Sequence, residues 1–292
     1  MAKTPTPLPD TPRVQVIGLC RFSYLGSGGF KVLHNATLEE RRAMLYGPRR
    51  LDARMIWFEQ VFLPGISHQT DPDFTMLILT GDDFPEPYRA RLAALIHPFP
   101  QFRMVYRPPG NHREVCADVM RAVVEPDADV LAQFRLDDDD GVAVDYVARL
   151  RRDFGLLRGF WAEKSRLALD YSYGLVLEDR TAQPGGRVVA DKRMASFWGC
   201  GLTLFVAPTA PRQVLDYVHY RVWHHMPSVM RSDRLMFVRG AHDSNDSSFN
   251  RPDDSAVLPR DSLKALLANR FRVDLDQLEQ AVAGYHRTRV ER

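Results

Sequence analysis

Residues Val130 to Leu150 read VLAQFRLDDDDGVAVDYVARL. The first seven residues of this stretch are mostly apolar, which predicts a buried strand over 130–136. Asp137 to Asp140 end that strand, and apolar residues at helical spacing follow from Ala143 to Leu150. A strand, an acidic turn and a helix in this order are typical of the carboxyl edge of a parallel sheet, where α/β proteins bind ligands.

The same order of strand and helix recurs upstream of this stretch. Apolar runs over 14–22, 74–80 and 102–106 are each followed by a turn and then by a segment with helical spacing. Short turns between alternating strands and helices favour parallel pairing of the strands. We therefore predict an α/β fold with a single, mainly parallel central sheet and flanking helices.

Beyond Asp153 the pattern becomes mixed. Gly and Pro turns separate predicted strands over 167–176, 187–190, 202–206 and 235–239, and helices are predicted over 211–225, 261–270 and 275–284. We expect residues 14–153 to form one half of a single domain and residues 154–292 a mixed second half. Residues 1–13 contain four prolines and no apolar core, which predicts a loose tail and excludes a signal peptide.

Composition and charge exclude several classes of protein. The chain has 292 residues, 45% hydrophobic and 26% charged, so wholesale disorder is excluded. A formal charge of +2 without a basic block argues against nucleic acid as a partner. The isolated Cys20, Cys116 and Cys200 suggest neither a disulfide framework nor a zinc site, and a cytoplasmic location fits them. No apolar stretch of about 20 residues is present, so we expect no transmembrane segment, and any membrane contact would be peripheral.

The four aspartates are the most informative feature of the sequence. Two unit charges about 6 Å apart repel by roughly 3 kcal/mol at an effective dielectric of 20, so such a cluster faces water or meets a cation. Asp137 and Asp139, two residues apart in an extended segment, can approach one divalent ion, and oxygen ligands favour Mg²⁺ or Mn²⁺. A solvated acidic loop that caps the next helix is the alternative. A haloacid-dehalogenase-like phosphatase with Asp138 as nucleophile and Asp140 as acid is another.

Longer segments around these aspartates resemble a known family. The segments are RFSY at 21–24, MIWFEQVFLPGISHQTDPDFTMLIL at 55–79, PPGNHREVCADVMR at 108–121 and the LDDDD region. Together they resemble the rhamnosyltransferase family of GT-A type glycosyltransferases, related to family 2, from Val14 to about Ser248. The resemblance implies a GT-A-like fold whose residues 14–153 bind a nucleotide-diphosphate sugar and whose residues 154–292 bind the acceptor.

The resemblance also implies roles for individual residues. Asp137 and Asp139 match the DxD motif that holds the ribose and the divalent ion, and His242 could close the metal site. The implied donor-binding residues are Arg21, Asp82, Asp83, Arg113, Asp137 and Asp138. The segment SFWGCG at 196–201 resembles the acceptor side, where Trp198 could stack on a sugar and where Gly199 and Gly201 would let backbone approach it.

The catalytic base is the least explicit part of the sequence. Inversion needs a carboxylate that takes the proton of the acceptor hydroxyl. Asp233 is the first candidate by its distance from the glycine segment, Asp191 is the second, and Glu178 with Asp179 is an alternative.

We therefore expect a metal-dependent, inverting glycosyltransferase that moves a sugar, rhamnose by resemblance, to a saccharide or glycolipid acceptor. A non-catalytic nucleotide-sugar or glycan-binding protein of the same fold is the alternative from a different class. A metal-dependent phosphohydrolase is the third hypothesis.

Overall fold

The computed structural model describes residues 8–28, 36–243, 245, 252 and 254–290. Part of the predicted tail (1–7) and part of the polar loop after His242 (244 and 246–251) lie outside the described residues. In the tail, the backbone carbonyls of Pro9 and Asp10 accept hydrogen bonds from Arg158 at 3.2 and 2.8 Å. Residues 9 and 10 are therefore tied to the rest of the domain.

Eleven strands lie within these ranges. They are β1 (Val14–Arg21), β2 (Thr75–Gly81), β3 (Phe102–Arg107), β4 (Val130–Arg135), β5 (Asp140–Val142), β6 (Arg166–Tyr171), β7 (Tyr173–Asp179), β8 (Val188–Met194), β9 (Leu202–Val206), β10 (Ser228–Arg231) and β11 (Phe237–Ala241).

Eight α-helices accompany the strands in the described part of the chain. They are α1 (Leu38–Leu45), α2 (Pro48–Trp57), α3 (Leu63–Ser67), α4 (Glu86–Ile96), α5 (His112–Arg121), α6 (Tyr146–Lys164), α7 (Arg260–Phe271) and α8 (Leu275–Val290). A π-helical turn, Phe58–Phe62, joins α2 to α3, and short 3₁₀ helices cover Val214–Asp216, His219–His224 and Asp254–Ala256.

The large sheet has seven strands in the order β10-β6-β9-β4-β1-β2-β3. Strands β4, β1, β2 and β3 are parallel neighbours, β9 is antiparallel to both β4 and β6, and β10 is parallel to β6. The predicted α/β class with a mainly parallel central sheet is confirmed. The carboxyl ends of β1, β2 and β4 meet at one edge, which is where the aspartates begin.

Helices cover both faces of this sheet because its central strands are apolar on both sides. Along β1, Val14, Val16 and Cys20 point into the hydrophobic layer that α6 covers. Ile17 and Leu19 point into the opposite layer, which α5 and the 3₁₀ helices cover. This alternation follows from the two-residue period of a strand.

A second sheet has four strands in the order β5-β11-β7-β8, and all of them except β5 come from the mixed half. Strand β11 is parallel to β7 and antiparallel to β5, and β8 is antiparallel to β7. The predicted strand over 167–176 is divided at Ser172 into β6 of the large sheet and β7 of the small one. Because β4 belongs to the large sheet and β5 to the small one, the aspartates lie where the two sheets meet.

The predicted helix over 211–225 is wrong. Two short 3₁₀ helices occupy this segment, and the edge strand β10 follows it. The buried side chain of Gln133 in β4 accepts the backbone N–H of Val214 at 3.1 Å, which holds the backbone at that point. The segment is also rich in Val, Tyr and Trp, which have low helix propensity.

All three cysteines are buried and free. No helix within the described ranges combines the length and the apolar character needed to cross a membrane.

The contact of α3 with β5 gives a stability prediction. A Cβ on Gly65 would lie 2.1 Å from the carbonyl oxygen of Val142, whereas a Cβ on Gly155 in α6 would meet nothing within 4 Å. Alanine favours a helix over glycine by about 1 kcal/mol, so Gly155→Ala should stabilise the protein by up to about that amount. Gly65→Ala should cost about 2 kcal/mol, because two backbones must move apart. Denaturant unfolding of both variants tests this, and an equal gain in the two would contradict the packing described here.

Candidate active site at the junction of the sheets

The loop from Asp137 to Asp139 connects β4 to β5. The backbone N–H of Leu136 still bonds the carbonyl oxygen of Leu19 at 3.1 Å, so the chain leaves the large sheet only after Leu136. The three side chains then differ in exposure: Asp137 keeps 35% of its side-chain surface, whereas Asp138 keeps 2% and Asp139 7%. Asp137 is therefore the carboxylate of this loop that solvent reaches.

Arg54 of α2 lies between the two buried carboxylates. Its guanidinium donates from Nη2 to Asp138 Oδ1 at 2.9 Å and from Nη1 to Asp139 Oδ2 at 2.5 Å. One cation cannot neutralise two anions. Burial would raise the pKa of Asp139, but Arg54 and His242 outweigh it and the pKa is lowered. Burial and the Asp139 charge raise the pKa of Asp138 to about 7, against the effect of Arg54.

Two further groups bind the same oxygen of Asp139. Asn245 Nδ2 donates to Oδ2 at 2.7 Å, and His242 Nε2 lies 3.1 Å from it. The imidazole stacks on the indole of Trp57 with 4.7 Å between ring centroids. Burial lowers the pKa of His242, although Asp139 opposes the shift, so the ring is neutral and carries its proton on Nε2. His242 thus acts here as a hydrogen-bond donor to Asp139.

Asp137 is held between arginines of two neighbouring strands. Arg21 Nη2 donates to Oδ1 at 3.0 Å, and Arg135 Nη2 lies 3.8 Å from Oδ2. Burial would raise the pKa of Asp137, but Arg135 and Arg21 outweigh it and hold the pKa at about 2. Arg21 also contacts His112 Nε2 at 2.7 Å. Burial and the Arg21 charge lower the pKa of His112 to about 3, so the imidazole is neutral and its Nε2 accepts a hydrogen bond from Arg21.

Asp140 begins a row of paired residues across the small sheet. It lies opposite Arg239 of β11, which pairs with Val176 of β7, which in turn pairs with Asp191 of β8. Directly paired residues share a face, so Asp140, Arg239 and Asp191 point to the same side. The Arg239 guanidinium lies 5.0 Å from the ring centre of Trp198. We call Arg21, Arg135, Asp137, Asp140 and Arg239 the Arg–Asp cluster.

The proposed acceptor glycines have different structural causes. Gly199 has φ of +102°, and a Cβ there would lie 2.9 Å from the Arg135 guanidinium. Gly201 lies against β6: a Cβ would meet the carbonyl oxygen of Tyr171 at 2.2 Å. Gly199 and Trp198 thus border the Arg–Asp cluster, while Gly201 is explained by the packing of β9 on β6.

The candidate bases occupy different places. Asp233 follows β10, and Arg149 Nη2 donates to its Oδ2 at 2.8 Å; burial would raise its pKa, but Arg149 lowers it. Asp233 lies before the start of β11, at the end of the small sheet away from Asp139. Asp191 is 3% exposed and is paired through Oδ2 with Arg193.

The alternative pair Glu178 and Asp179 is divided between two sides of β7. Arg180 Nε donates to Glu178 at 2.6 Å, and Asp179 pairs with His286 at 2.8 Å. Of the four candidates, Asp191 and Glu178 share a face with Arg239.

The remaining donor candidates lie on the surface near the strand ends. Asp83 accepts hydrogen bonds from Arg42 and, at 2.9 Å, from the hydroxyl of Tyr46. Asp82 is exposed, and its backbone N–H donates to Arg107. Arg113 is exposed in the first turn of α5, where the Asn111 side chain caps its backbone N–H at 3.0 Å.

The predicted metal ligands are brought together in part. Asp139 and His242 are in contact, whereas Asp137 is turned toward Arg21, and Arg54 occupies the position next to Asp139 Oδ2. Across the described residues no group of three or more His, Cys, Asp or Glu side chains is arranged to hold a metal ion. The donor chemistry suits Mg²⁺ or Mn²⁺, but the three side chains as arranged do not fit a closed metal site.

Four titratable residues at this site were not predicted from the sequence. Arg54 of α2 contacts Asp138 and Asp139, Arg239 of β11 is paired with Asp140 in the small sheet, and His112 contacts Arg21. An arginine within an amphipathic helix is normally a charge on the solvent-exposed face. Nothing in the neighbouring sequence therefore indicates that Arg54 is buried beside the aspartates. Arg135, two residues before Asp137 in the same strand, could have been found from the period of the strand.

The shared guanidinium gives a prediction of pH dependence. Because the pKa of Asp138 is raised to about 7, the folded chain holds a proton there that the unfolded chain has released. The free energy of unfolding should therefore fall as pH rises from about 4 to about 7, and Asp138→Asn should make that fall smaller. The rest of the fall comes from Asp140 and Asp170, whose pKa values burial also raises. The measurement is thermal unfolding of both proteins across this range.

Asp139→Asn is the matched control. The pKa of Asp139 is lowered, so its negative charge stabilises the fold at neutral pH. The substitution should therefore lower the free energy of unfolding at neutral pH by about 2 kcal/mol. Identical pH profiles for the two variants would contradict the assignment of the proton to Asp138.

Comparison with solved structures finds distant architectural likenesses. The Staphylococcus aureus TarS 1–349 complex with UDP-GlcNAc is 8% identical with a TM-score of 0.40, covering 94% of this chain and 71% of TarS 1–349. A 4-diphosphocytidyl-2C-methyl-D-erythritol synthase from Anaerococcus prevotii is 9% identical with a TM-score of 0.33, covering 81% and 90%. A Mycobacterium tuberculosis protein solved with manganese is 11% identical with a TM-score of 0.32, covering 77% and 91%. Sequence identities and TM-scores this low do not indicate a shared activity.

The sequence comparisons assign the family. No curated protein sequence matched the chain. The model of the family described as "putative rhamnosyl transferase" matches residues 15–254, which include β1 to β11 except for the first residue of β1. The match spans most of the chain, the Arg–Asp cluster included, and the chain belongs to this rhamnosyl transferase family.

Proposed function

We propose that this protein is a glycosyltransferase that moves a sugar from a nucleotide-diphosphate sugar to a saccharide acceptor. The observation that carries the proposal is the partly exposed Asp137 carboxylate between Arg21 and Arg135, at the ends of the parallel strands β1 and β4. The family match supports a transferase of this type, and its description supports rhamnose as the sugar. Transfer with inversion and a saccharide or glycolipid acceptor are parts of the same proposal.

The Arg–Asp cluster is suited to a diphosphate. Guanidinium groups bind phosphate oxygens in a bidentate manner and stay charged at every physiological pH. Arg21 and Arg135 approach from the large sheet and Arg239 from the small one, so a diphosphate between the sheets would meet positive charge on both sides. The Asp137 carboxylate can only accept hydrogen bonds, which suits sugar or ribose hydroxyls.

A divalent ion remains part of the proposal as Mn²⁺ or Mg²⁺ near Asp137, Asp139 and His242. Such an ion would supply charge compensation for the leaving diphosphate. Asp137, Asp139 and His242 as arranged do not form a complete set of metal ligands. The roles proposed for the other residues therefore do not depend on the ion.

Asp191 is the base that the geometry favours. It lies on the same face as Arg239, two strands away, which is about 10 Å at the usual strand spacing. Its Oδ1 is buried and finds no hydrogen-bond partner within the described ranges. Asp233 is supported less, because Arg149 lowers its pKa and it lies at the other end of the small sheet. A base at Asp191 would take the acceptor proton as the sugar transfers.

The phosphohydrolase hypothesis has little support. It needs Asp138 as an ionised nucleophile, but burial and the Asp139 charge raise the pKa of this carboxyl to about 7, and Arg54 holds its Oδ1. A cytoplasmic location is also proposed, and the three buried free cysteines support a reducing compartment.

Calorimetry with a nucleoside diphosphate tests the donor site. We expect binding to be about tenfold tighter with Mn²⁺ than with EDTA, because a divalent ion offsets repulsion between Asp137 and the diphosphate. In Asp137→Asn the difference between the two buffers should shrink. Equal affinity of the natural protein in both buffers would show that nucleotide binding needs no divalent ion. The arginines alone would then form the site.

A panel of nucleotide sugars, with and without saccharide acceptors, tests the reaction. Release of nucleoside diphosphate from one donor is the expected result, and Asp191→Asn should lower transfer by about 100-fold or more without weakening nucleotide binding. Asp233→Asn is the comparison and should retain its turnover per folded molecule.

The other outcomes of the panel would each overturn the proposal. Donor binding without turnover would indicate a binding protein, and phosphate release from small phosphoesters would indicate a phosphohydrolase. Full transfer by Asp191→Asn would exclude Asp191 as the base.

A further inference from the structure

One segment holds an unusual share of the exposed apolar side chains. Eight large hydrophobic residues are exposed in the described part of the chain, and four of them lie between residues 218 and 230. These four are Val218, Tyr220, Trp223 and Met230, with 37%, 45%, 49% and 54% of their surface exposed. Apolar side chains concentrated in this way mark interaction sites on soluble domains. We call residues 218–230 the aromatic segment.

The 3₁₀ helix His219–His224 explains how these side chains point outward. Residues three apart share a face in such a helix. Val222 is fully buried and His219 half-buried, whereas Tyr220 and Trp223 form one exposed face and Arg221 and His224 the next. The Arg221 guanidinium lies 5.7 Å from the Tyr220 ring centre. The segment therefore presents amphipathic aromatic rings beside cations.

The charges around the segment favour an anionic partner. Arg212 and Arg221 are exposed, whereas Arg234 lies 3.8 Å from Asp145 and 4.0 Å from Asp233. The two acidic residues nearby are engaged: Asp216 accepts the backbone N–H of Gln213 at 2.8 Å, and Asp233 is paired with Arg149. The outward charge is therefore positive.

We propose that the aromatic segment docks on an anionic phospholipid surface. Trp and Tyr rings lie at the level of lipid headgroups, where their apolar bodies leave water and their polar tips stay hydrated. Arginine side chains extend toward the phosphates, and each cation near an anionic bilayer adds to the attraction. Rings and cations on adjacent faces of one short helix can meet these two layers together.

The aromatic segment is continuous with the wall of the Arg–Asp cluster. The rings of Trp223 and Phe197 lie 5.2 Å apart, and His219 Nδ1 bonds the carbonyl oxygen of Phe197. The next residue, Trp198, lies against Arg239. If the proposed function is correct, on which this step rests, a docked molecule would hold the cluster close to the bilayer, and the acceptor class that fits is a saccharide on a lipid.

Vesicle co-sedimentation tests the docking without any transfer assay. The probes are vesicles of phosphatidylcholine alone and vesicles of phosphatidylcholine with phosphatidylglycerol. The full chain should bind the second and not the first. Tyr220→Ser with Trp223→Ser should weaken binding about tenfold or more, and Arg221→Glu should weaken it in the anionic vesicles.

Leu156→Ser with Phe160→Ser is the matched control. These residues of α6 are 74% and 51% exposed and lie on the opposite face of the large sheet. The control pair should bind as the natural chain does, and thermal unfolding should verify that every variant is folded.

Three results would overturn the docking proposal. They are absence of binding by the natural chain, equal losses in the two double variants, and a concentration-dependent dimer that Trp223→Ser dissolves, which would assign the segment to a second copy of the chain. Nucleoside diphosphate calorimetry on Tyr220→Ser with Trp223→Ser keeps the two proposals apart, because docking can fail while nucleotide binding persists.

Discussion

The position of Arg54 between Asp138 and Asp139 is the constraint on which the site depends. Two adjacent buried carboxylates would separate or draw in water if no cation lay between them. The guanidinium that joins them comes from α2, so the helix layer, the end of β4 and the start of β5 are fixed relative to one another. Asp139 also receives His242 from beyond β11, and the stacking of His242 on Trp57 brings that segment back to α2.

This arrangement divides the four aspartates into two kinds. Asp138 and Asp139 are the buried pair that fixes the loop, and burial together with the Asp139 charge raises the pKa of Asp138 to about 7. Asp137 and Asp140 point toward Arg21, Arg135 and Arg239, on strands of two different sheets. The chemistry proposed for this chain therefore needs both kinds, because the inner pair positions the outer pair.

The sequence predicts the first half of the fold well and its contacts poorly. The segments that form β1 to β4 are short, apolar and bounded by turns. Their local sequence favours a strand, and their position in the centre of the sheet favours the same structure. Arg54 and Asp139 are 85 residues apart, and nothing in either neighbourhood indicates the other. Arg239 meets Asp140 through strand register, which depends on which strands pair and not on the residues themselves.

Segments whose state is set by neighbours were predicted incorrectly or incompletely. The stretch over 167–176 is one apolar run. It is divided at Ser172 because its first part pairs in the large sheet and its second part pairs in the small sheet. The stretch over 211–225 has helical spacing, but Gln133 of β4 binds its backbone at Val214 and its aromatic side chains are left on the surface. Tertiary contacts override local preference in both places.

The most direct test of the account is a crystal structure with a nucleoside diphosphate bound. We expect phosphate oxygens within hydrogen-bonding distance of Arg21 and of Arg135 or Arg239, between the ends of β1, β4 and β11. Arg54 should still lie between Asp138 and Asp139. A cavity of about 390 Å³ is lined in part by His242, Met44, Trp57 and Tyr285. A diphosphate in that cavity, with the Arg–Asp cluster unchanged, would contradict the account.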